Sequence, residues 1–417
     1  MGKDQGPDLG GLILTGEGVG AAIEIAPGIW MSPGISNSYR VTTPEGDLQI
    51  NAGMFFEGAV AAERYAAVSS GPVRVMAFTQ SHPDHIGGAA ALAGEQTQIV
   101  VQANYAEVRG YWNRLSEFYA RRSQVLWKRI LGDRGQMPEQ PPDPVPDILF
   151  DDHHTFELGG RRFELLATPG GETTDSLVVW LPGEKIVFTG NLFGPIFGHL
   201  PNLYTIRGDK IRSAMRFVDS LDRVRGLGAE LLVTGHGDPI AGREEIDGTL
   251  ARVREATLWI HDRTVEGMNA GRELWELMEN IALPDELALG QGHGKTPWCV
   301  RAVFEEYAGW FRYESTAELY GVPPKAVWKD VVLEAGPAGL VERASAHLGA
   351  GRPVEALHLS DMVLHAVPGQ VEALGVRIGA LEQLLERAGG ENFSEVMWLE
   401  GRLAEARETL AATEEKT

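Results

Sequence analysis

The densest group of chemically active side chains lies in residues 79–88, which read TQSHPDHIGG. His82, Asp84 and His85 fall within four positions there, directly after a predicted strand at residues 73–78. A loop at the end of a strand can direct all three side chains toward one point. Neutral imidazole and carboxylate are ligands that Zn²⁺ accepts. The segment therefore predicts a metal site.

Three later polar residues also follow predicted strands. Glu172 lies in the segment TPGGETTD, Asn191 ends the segment KIVFTGN, and His236 lies in LLVTGHG. Loops at strand ends of a layered α/β fold are where binding and catalytic residues concentrate. These residues are therefore expected to complete the site.

Taken in order, these motifs resemble those of the metallo-β-lactamase superfamily, and within it the alkylsulfatase family, whose ligand after Thr-Pro-Gly is also Glu. The segment NLYTIRG at residues 202–208, the Arg-Arg pair at 121–122 and YAGW at 307–310 are similar to motifs of that family. The resemblance extends over residues 20–410. It implies a metallo-β-lactamase αββα sandwich (class α/β) followed by an all-α helical dimerisation domain, without the family's C-terminal lipid-carrier-like domain.

The resemblance also implies a set of metal ligands, with two departures from the family pattern. The candidate ligands are Gln80, His82, Asp84, His85, Glu172, Asn191 and His236. Gln80 stands where the family has His, and Asn191 stands where it has an acid that bridges two metals. An amide is a weaker ligand, and loss of the bridging charge leaves two cations in strong repulsion.

The first metal, beside His82 and Glu172, is therefore expected to bind poorly. Asp84, His85 and His236 retain the composition of a mononuclear catalytic zinc site with an open position. Three interpretations stay open. They are a mononuclear hydrolase, an altered dinuclear site that holds zinc, iron or manganese, and a catalytically silent relative.

A zinc site of this type would activate water for hydrolysis. Besides Asp84, the predicted catalytic residues are Arg207, Asn202 and Tyr204. Arg207 is the main candidate for binding sulfate, because a guanidinium fork matches a tetrahedral oxyanion. The resemblance implies that Asn202 and Tyr204 orient the sulfate or the attacking water.

Further residues are candidates for substrate binding. Arg212 is a second cation for the sulfate, and His199 is placed to reach the substrate. Phe193, Phe197 and the aromatic residues of 103–131 are candidates for an apolar channel around an alkyl tail. His261, His293, His347, His358 and His365 lie in the predicted helical part and are interpreted as structural.

The pattern of elements predicts the domain organisation. Residues 1–20 are expected to form a flexible arm, and residues 21–250 the α/β catalytic domain. Within that domain, residues 103–146 are interpreted as an insertion, with one long helix at 103–131 and a Pro-rich stretch after it. Residues 251–417 are predicted to be helices that form hairpins, which favours packing against a second copy of the chain.

Composition excludes several classes of protein. The 417 residues carry a formal net charge of −21, which disfavours nucleic acid, nuclease activity and anionic membranes. The single cysteine, Cys299, cannot form a disulfide within the chain. No signal peptide and no membrane span are expected, so a cytoplasmic protein is predicted.

The sequence predicts a metal-dependent hydrolase that acts, as a homodimer, on alkyl sulfate esters or a related anionic ester. One alternative is another hydrolase of the same fold, for a lactone, thioester or phosphoester. The others are a non-catalytic ligand-binding homodimer and an iron-containing oxidoreductase.

Overall fold

The computed structural model describes residues 20–126 and 139–415. These residues divide into two compact units. The first, called the α/β unit, comprises residues 20–123 and 139–307. The second, called the helical unit, comprises residues 124–126 and 308–415.

Two sheets form the centre of the α/β unit. The first has seven strands in the order β1 to β7, and the second has six in the order β13-β12-β11-β10-β9-β8. The strands of the first sheet are β1 (Ile23–Ala26), β2 (Ile29–Ser32), β3 (Ser38–Val41), β4 (Asp47–Ile50), β5 (Val73–Ala77), β6 (Gln98–Gln102) and β7 (Ile148–Phe150). Those of the second are β8 (His153–Leu158), β9 (Arg161–Ala167), β10 (Leu177–Leu181), β11 (Ile186–Gly190), β12 (Leu231–Thr234) and β13 (Ile240–Ala241).

Strand pairing changes from antiparallel to parallel where the site residues emerge. Strands β1 to β4 are antiparallel, whereas β4, β5, β6 and β7 pair in parallel. In the second sheet, β11 and β12 are the parallel pair. Parallel neighbours end at the same edge of a sheet, so the segments that follow them lie side by side.

Helices cover the outer faces of both sheets. The helices of the α/β unit are α1 (Gly58–Ala66), α2 (Pro83–Ile86), α3 (Ala89–Leu92), α4 (Tyr105–Arg114), α5 (Ser116–Leu126), α6 (Ala214–Gly226), α7 (Arg243–Asn269), α8 (Leu274–Asn280) and α9 (Thr296–Ala308), of which α5 and α9 run into the helical unit. Helix α7 is continuous across residue 250, the boundary predicted from the sequence. The predicted domain limits stay predictions.

Alternation of side chains along the strands creates three apolar layers. In β10, Leu177 and Val179 point into the core between the sheets, while Val178 and Trp180 pack under the helices. The core between the sheets includes the edge contact of Tyr39 with Phe188, at 5.2 Å between ring centroids. Two helix-covered sheets packed face to face form an αββα sandwich, which confirms the predicted fold class.

The predicted long helix at residues 103–131 is wrong. Helix α4 ends at Arg114 and α5 begins at Ser116, while residues 127–131 lie outside the described part of the chain. Tertiary contacts explain the break, because Asn113 donates a hydrogen bond to Asp143, at 2.8 Å, and Arg109 forms an ion pair with the same carboxylate. These bonds hold the end of α4 against the Pro-rich stretch.

In its described part, the helical unit consists mainly of successive α-helices. They are α10 (Trp328–Ala335), α11 (Pro337–Gly349), α12 (Pro353–Ala366), α13 (Val371–Ala388) and α14 (Phe393–Glu414). Each of α11 to α13 packs on the next helix, as the predicted hairpins require. Gly389 ends α13 in the left-handed conformation, at φ 57°, which a residue with a Cβ adopts at a cost. Within the described residues, no helix is long and apolar enough to cross a bilayer.

Candidate metal centre

Asp84, His85 and His236 converge on one point. Their ligand atoms all lie within 4.8 Å of one another. The Asp84 carboxylate oxygen Oδ2 is 3.4 Å from Nε2 of His85 and 3.6 Å from Nε2 of His236. Donors at about 2.1 Å from a tetrahedral zinc ion stand roughly 3.4 Å apart. The three side chains therefore have the spacing of a metal triad.

Backbone contacts set the position of the His-rich loop after β5. The Asn51 side-chain oxygen accepts hydrogen bonds from the backbone and hydroxyl of Thr79, at 2.9 and 3.1 Å. Ala52 donates its N–H to the carbonyl of His85. A Cβ on Gly88 would collide with the carbonyl oxygen of Ala52. Glycine at that position thus allows the loop to pack tightly beside β4.

Hydrogen bonds from neighbouring groups orient the two imidazoles. The Ser36 hydroxyl donates to the carbonyl of Gly235, at 3.1 Å, so its oxygen accepts from Nδ1 of His85, also at 3.1 Å. Nδ1 of His236 donates to the carbonyl of Ile35. Each imidazole then turns an unprotonated Nε2 toward Asp84. His85 Nε2 is buried and has no hydrogen-bond partner, which suits a metal ligand.

The ionisation of the triad also fits a metal. Burial lowers the pKa of His85 to about 4 and lowers the pKa of His236. Burial alone would raise the pKa of Asp84, but the nearby histidines more than offset this and lower it. Near neutral pH the triad therefore offers two neutral imidazoles and one carboxylate.

The other predicted ligands lie beside the triad but have different partners. Gln80 Nε2 donates a hydrogen bond to Nδ1 of His82, at 2.7 Å. The same His82 Nδ1 atom is 3.7 Å from Oε1 of Glu172. Arg212 forms a two-point ion pair with Glu172, at 2.8 and 2.9 Å. An interaction with the Asn191 side chain opposes the burial-driven fall in the pKa of His85.

Arg207 lies next to this second group. Its guanidinium carbon is 4.7 Å from the centroid of the Trp112 ring, and its Nη2 is 3.7 Å from Asp209 Oδ2. Arg207 Nε is buried and has no hydrogen-bond partner. Arg122 donates to the carbonyl of Ile206, at 2.8 Å, and so holds the loop that carries Arg207.

His293, which the sequence predicts to be structural, lies near the site. It lies in the loop before α9, where its Nε2 is 3.3 Å from Nδ2 of Asn202. Burial, with Arg212 and Arg207 nearby, lowers the pKa of His293 well below its usual value. The flanking glycines in GQGHG were the available signal, because a Cβ on Gly294 would collide with the Pro201 carbonyl.

The remaining predicted residues lie farther from the triad or face other elements. Phe193 is buried in the core beneath α6 and contacts Phe197, at 5.9 Å between ring centroids. His199 accepts a hydrogen bond from the backbone of Gly292, at 3.1 Å. Tyr204 forms a hydrogen bond with Glu305 on α9. Burial raises the pKa of Tyr204, and this hydrogen bond raises it further. Their predicted roles stay predictions.

A cavity of about 210 Å³ reaches the pair of Glu172 and Arg212 from the side of α4. Its wall includes Tyr111, Asp209 and Lys210. Trp112 of the insertion lies beside a predicted ligand, with its ring 5.3 Å from that of His82. The insertion thus forms part of the wall around His82, Glu172 and Arg212.

Comparison with known proteins places these features in a family context. A family model of the metallo-β-lactamase superfamily matches residues 31–236, and one for alkyl sulfatase dimerisation matches residues 274–412. The chain thus contains a metallo-β-lactamase domain followed by an alkyl sulfatase dimerisation domain, as the motifs predicted.

Several curated relatives are alkylsulfatases. The chain is 29% identical over 315 residues to a linear primary-alkylsulfatase from a Pseudomonas species, an alignment covering 68% of this chain and 58% of the relative. It is 26% identical over 340 residues to an alkyl/aryl-sulfatase of Saccharomyces cerevisiae, covering 75% and 52% of the two chains. The chain spans little more than half the length of these relatives.

A solved structure confirms the fold. The stereoselective inverting sec-alkylsulfatase Pisa1 from a Pseudomonas species superposes with a TM-score of 0.80 at 22% identity. The match covers 94% of this chain and 66% of that one. At this identity the similarity concerns the fold alone.

Proposed function

We propose that the chain is a metal-dependent hydrolase of alkyl sulfate esters. The observation that carries the proposal is the convergence of Asp84, His85 and His236, with both Nε2 atoms turned toward the carboxylate. Similarity to alkylsulfatases supports the choice of substrate class. Asp84, His85 and His236 would hold a metal ion, which would supply Lewis acidity and a more acidic bound water for ester hydrolysis.

The metal that we propose is zinc. Two imidazoles and one carboxylate form a donor set that occurs in catalytic zinc sites with an open position. The same donors accept iron and, less readily, manganese. Elemental analysis of protein purified without added metal distinguishes these ions.

Residues of the chain bind the anionic group in this proposal. The Arg207 side chain is 18% exposed and lies beside the predicted ligands, and Trp112 supports its guanidinium from one face. A guanidinium donates paired hydrogen bonds to a tetrahedral oxyanion, which holds the sulfate for attack. Asn202, held by its contact with His293, is the neutral donor that we assign to sulfate orientation.

The decisive experiment measures release of inorganic sulfate from a primary alkyl sulfate. Wild-type protein is compared with Asp84→Asn, which keeps the shape of the side chain but removes the ligand charge. Sulfate release by the wild type alone is the expected result. Turnover of a lactone, thioester or phosphoester without sulfate release would replace the substrate class, and binding without any turnover would contradict an enzyme.

We also propose that the protein is a homodimer formed through its C-terminal helices. The family match to an alkyl sulfatase dimerisation domain supports this assembly. Large apolar side chains of the helical unit are exposed in the single chain, including Trp310, Tyr313 and Tyr320. Burial of such side chains by a second copy would stabilise a dimer. Sedimentation equilibrium tests whether the protein is a dimer. The predicted cytoplasmic location stays a prediction.

A further inference from the structure

The carboxylate of Glu172 is fully engaged by Arg212. The two side chains are 9% and 5% exposed, and both carboxylate oxygens lie within 2.9 Å of guanidinium nitrogens. Arg212 also donates to the carbonyl of Asn202, at 2.7 Å, and its Nη2 is 3.8 Å from Asp209. These contacts fix the position of the Arg212 guanidinium. It lies beside His82 and Glu172, which are the predicted ligands of the first metal.

The neighbours of Glu172 do not favour a metal there. Nδ1 of His82 accepts a hydrogen bond from the Gln80 amide, so that lone pair is not available to an ion. Gln80 and Asn191 are neutral amides. Glu172 and Arg212 together carry no net negative charge, whether Glu172 is ionised or protonated. A dication at this place would have to displace the guanidinium from its carboxylate or lie beside it, in a buried region where repulsion is strong.

The triad on the other side has none of these obstacles. Within the described residues, Asp84, His85 and His236 are the only group of three or more His, Cys, Asp or Glu residues close enough to share an ion. No arginine forms an ion pair with Asp84 among the contacts of the described chain. The two halves of the site therefore differ in kind.

We propose that the Arg212 guanidinium replaces a second metal ion, so that the chain binds one ion at Asp84, His85 and His236. Arg212 then supplies a permanent positive charge on the Glu172 side of the site. This inference rests on the proposed metal-dependent function. It adds that the number of metal ions is set by an arginine as well as by the loss of ligands.

Metal stoichiometry tests the inference without reference to activity. Full-length protein is loaded with excess Zn²⁺, desalted and subjected to elemental analysis. The variants are Gln80→His/Asn191→Glu, which supplies stronger donors, and the same pair combined with Arg212→Met. The matched control combines the pair with Arg216→Met, because Arg216 is an exposed arginine of α6. Circular dichroism checks that each variant is folded.

The expected content is about one ion per chain for wild type, for the donor pair and for the Arg216 control, and about two for the triple variant with Arg212→Met. Two ions in wild type, or in the donor pair with Arg212 retained, would overturn the inference. So would a triple variant that is folded but still holds one ion. If the triple variant does not fold, Glu172→Gln/Arg212→Met removes both charges and is expected to keep about one ion per chain. Loss of the ion from that double variant would also overturn the inference.

These outcomes separate the inference from the proposed function. Two ions in an active wild-type sulfatase would contradict the role of Arg212 but leave the proposed function standing. One ion in a wild type that releases no sulfate would contradict the substrate class alone.

Discussion

Arg207 lies over the indole ring of Trp112, with 4.7 Å between the guanidinium carbon and the ring centroid. The same ring meets His82 edge-on, at 5.3 Å. Helix α4 of the insertion is thereby connected to both the predicted sulfate-binding loop and the predicted metal ligands. Because an aromatic face attracts the cation without using its N–H groups, Arg207 can still donate hydrogen bonds to an anion.

Arg207→Ala is expected to lower kcat/KM for an alkyl sulfate by about 100-fold, comparable to the loss of one oxyanion donor. Metal content should not change, since Arg207 is not a ligand. Arg252→Ala is the control, because Arg252 is an exposed arginine of α7 that does not line the cavity beside Glu172. Steady-state kinetics with elemental analysis measure both quantities. Undiminished turnover in Arg207→Ala would remove this residue from the sulfate site.

Ser36→Ala is expected to weaken metal affinity by about 10- to 100-fold, because the hydroxyl orients His85. Competition with a chromogenic chelator measures the affinity. Ser38→Ala is the matched control, since the Ser38 hydroxyl contacts Tyr65, at 3.0 Å, instead of a predicted ligand. Equal loss of affinity in both variants would show a general effect of the β2–β3 region and argue against the role of Ser36.

A homologous series of primary alkyl sulfates tests the apolar wall that includes Trp112. Burying each additional CH₂ contributes about 0.8 kcal/mol, so the apparent affinity should rise about fourfold per carbon until the wall ends. KM or inhibition constants for non-hydrolysable analogues measure this. An affinity independent of chain length would show that the insertion aromatics do not contact an alkyl tail.

Metal removal is expected to lower the thermal stability of the α/β unit. Asp84 and His85 follow β5 in the first sheet and His236 follows β12 in the second, so a bound ion connects the two sheets. An ion present at 100 times its Kd stabilises the folded state by about 2.7 kcal/mol. Differential scanning calorimetry with and without chelator measures the change in Tm. The His236→Ala variant should show no chelator-dependent change, and a shift of wild-type size would place the ion elsewhere.

Local patterns were sufficient to predict much of the fold. The strands before Glu172, Asn191 and His236 were predicted from short apolar segments, whereas the two-sheet αββα arrangement was implied by the family resemblance. The hairpin of α11 and α12 was visible from helical sequences separated by Gly349-Ala-Gly-Arg. These signals depend on short-range periodicity and turn chemistry, which one segment of sequence carries by itself.

The break at Leu115 shows where such patterns fail. The residues around it have helical composition, so one helix was predicted across 103–131. The end of α4 depends on Asn113 and Arg109 meeting Asp143, about thirty residues later. A tertiary contact of this kind overrides local propensity.

For the candidate metal centre too, some features follow from the sequence and others only from the tertiary structure. By itself the sequence determined which residues carry ligand chemistry, because His82, Asp84, His85, Glu172 and His236 all follow strands at recognisable motifs. Only the tertiary structure decided their partners: Arg212 on Glu172, the Gln80 amide on His82, and His293 beside Asn202. Side-chain pairing between loops follows from how the sheets and helices pack, and neither residue type nor spacing along the chain contains that geometry.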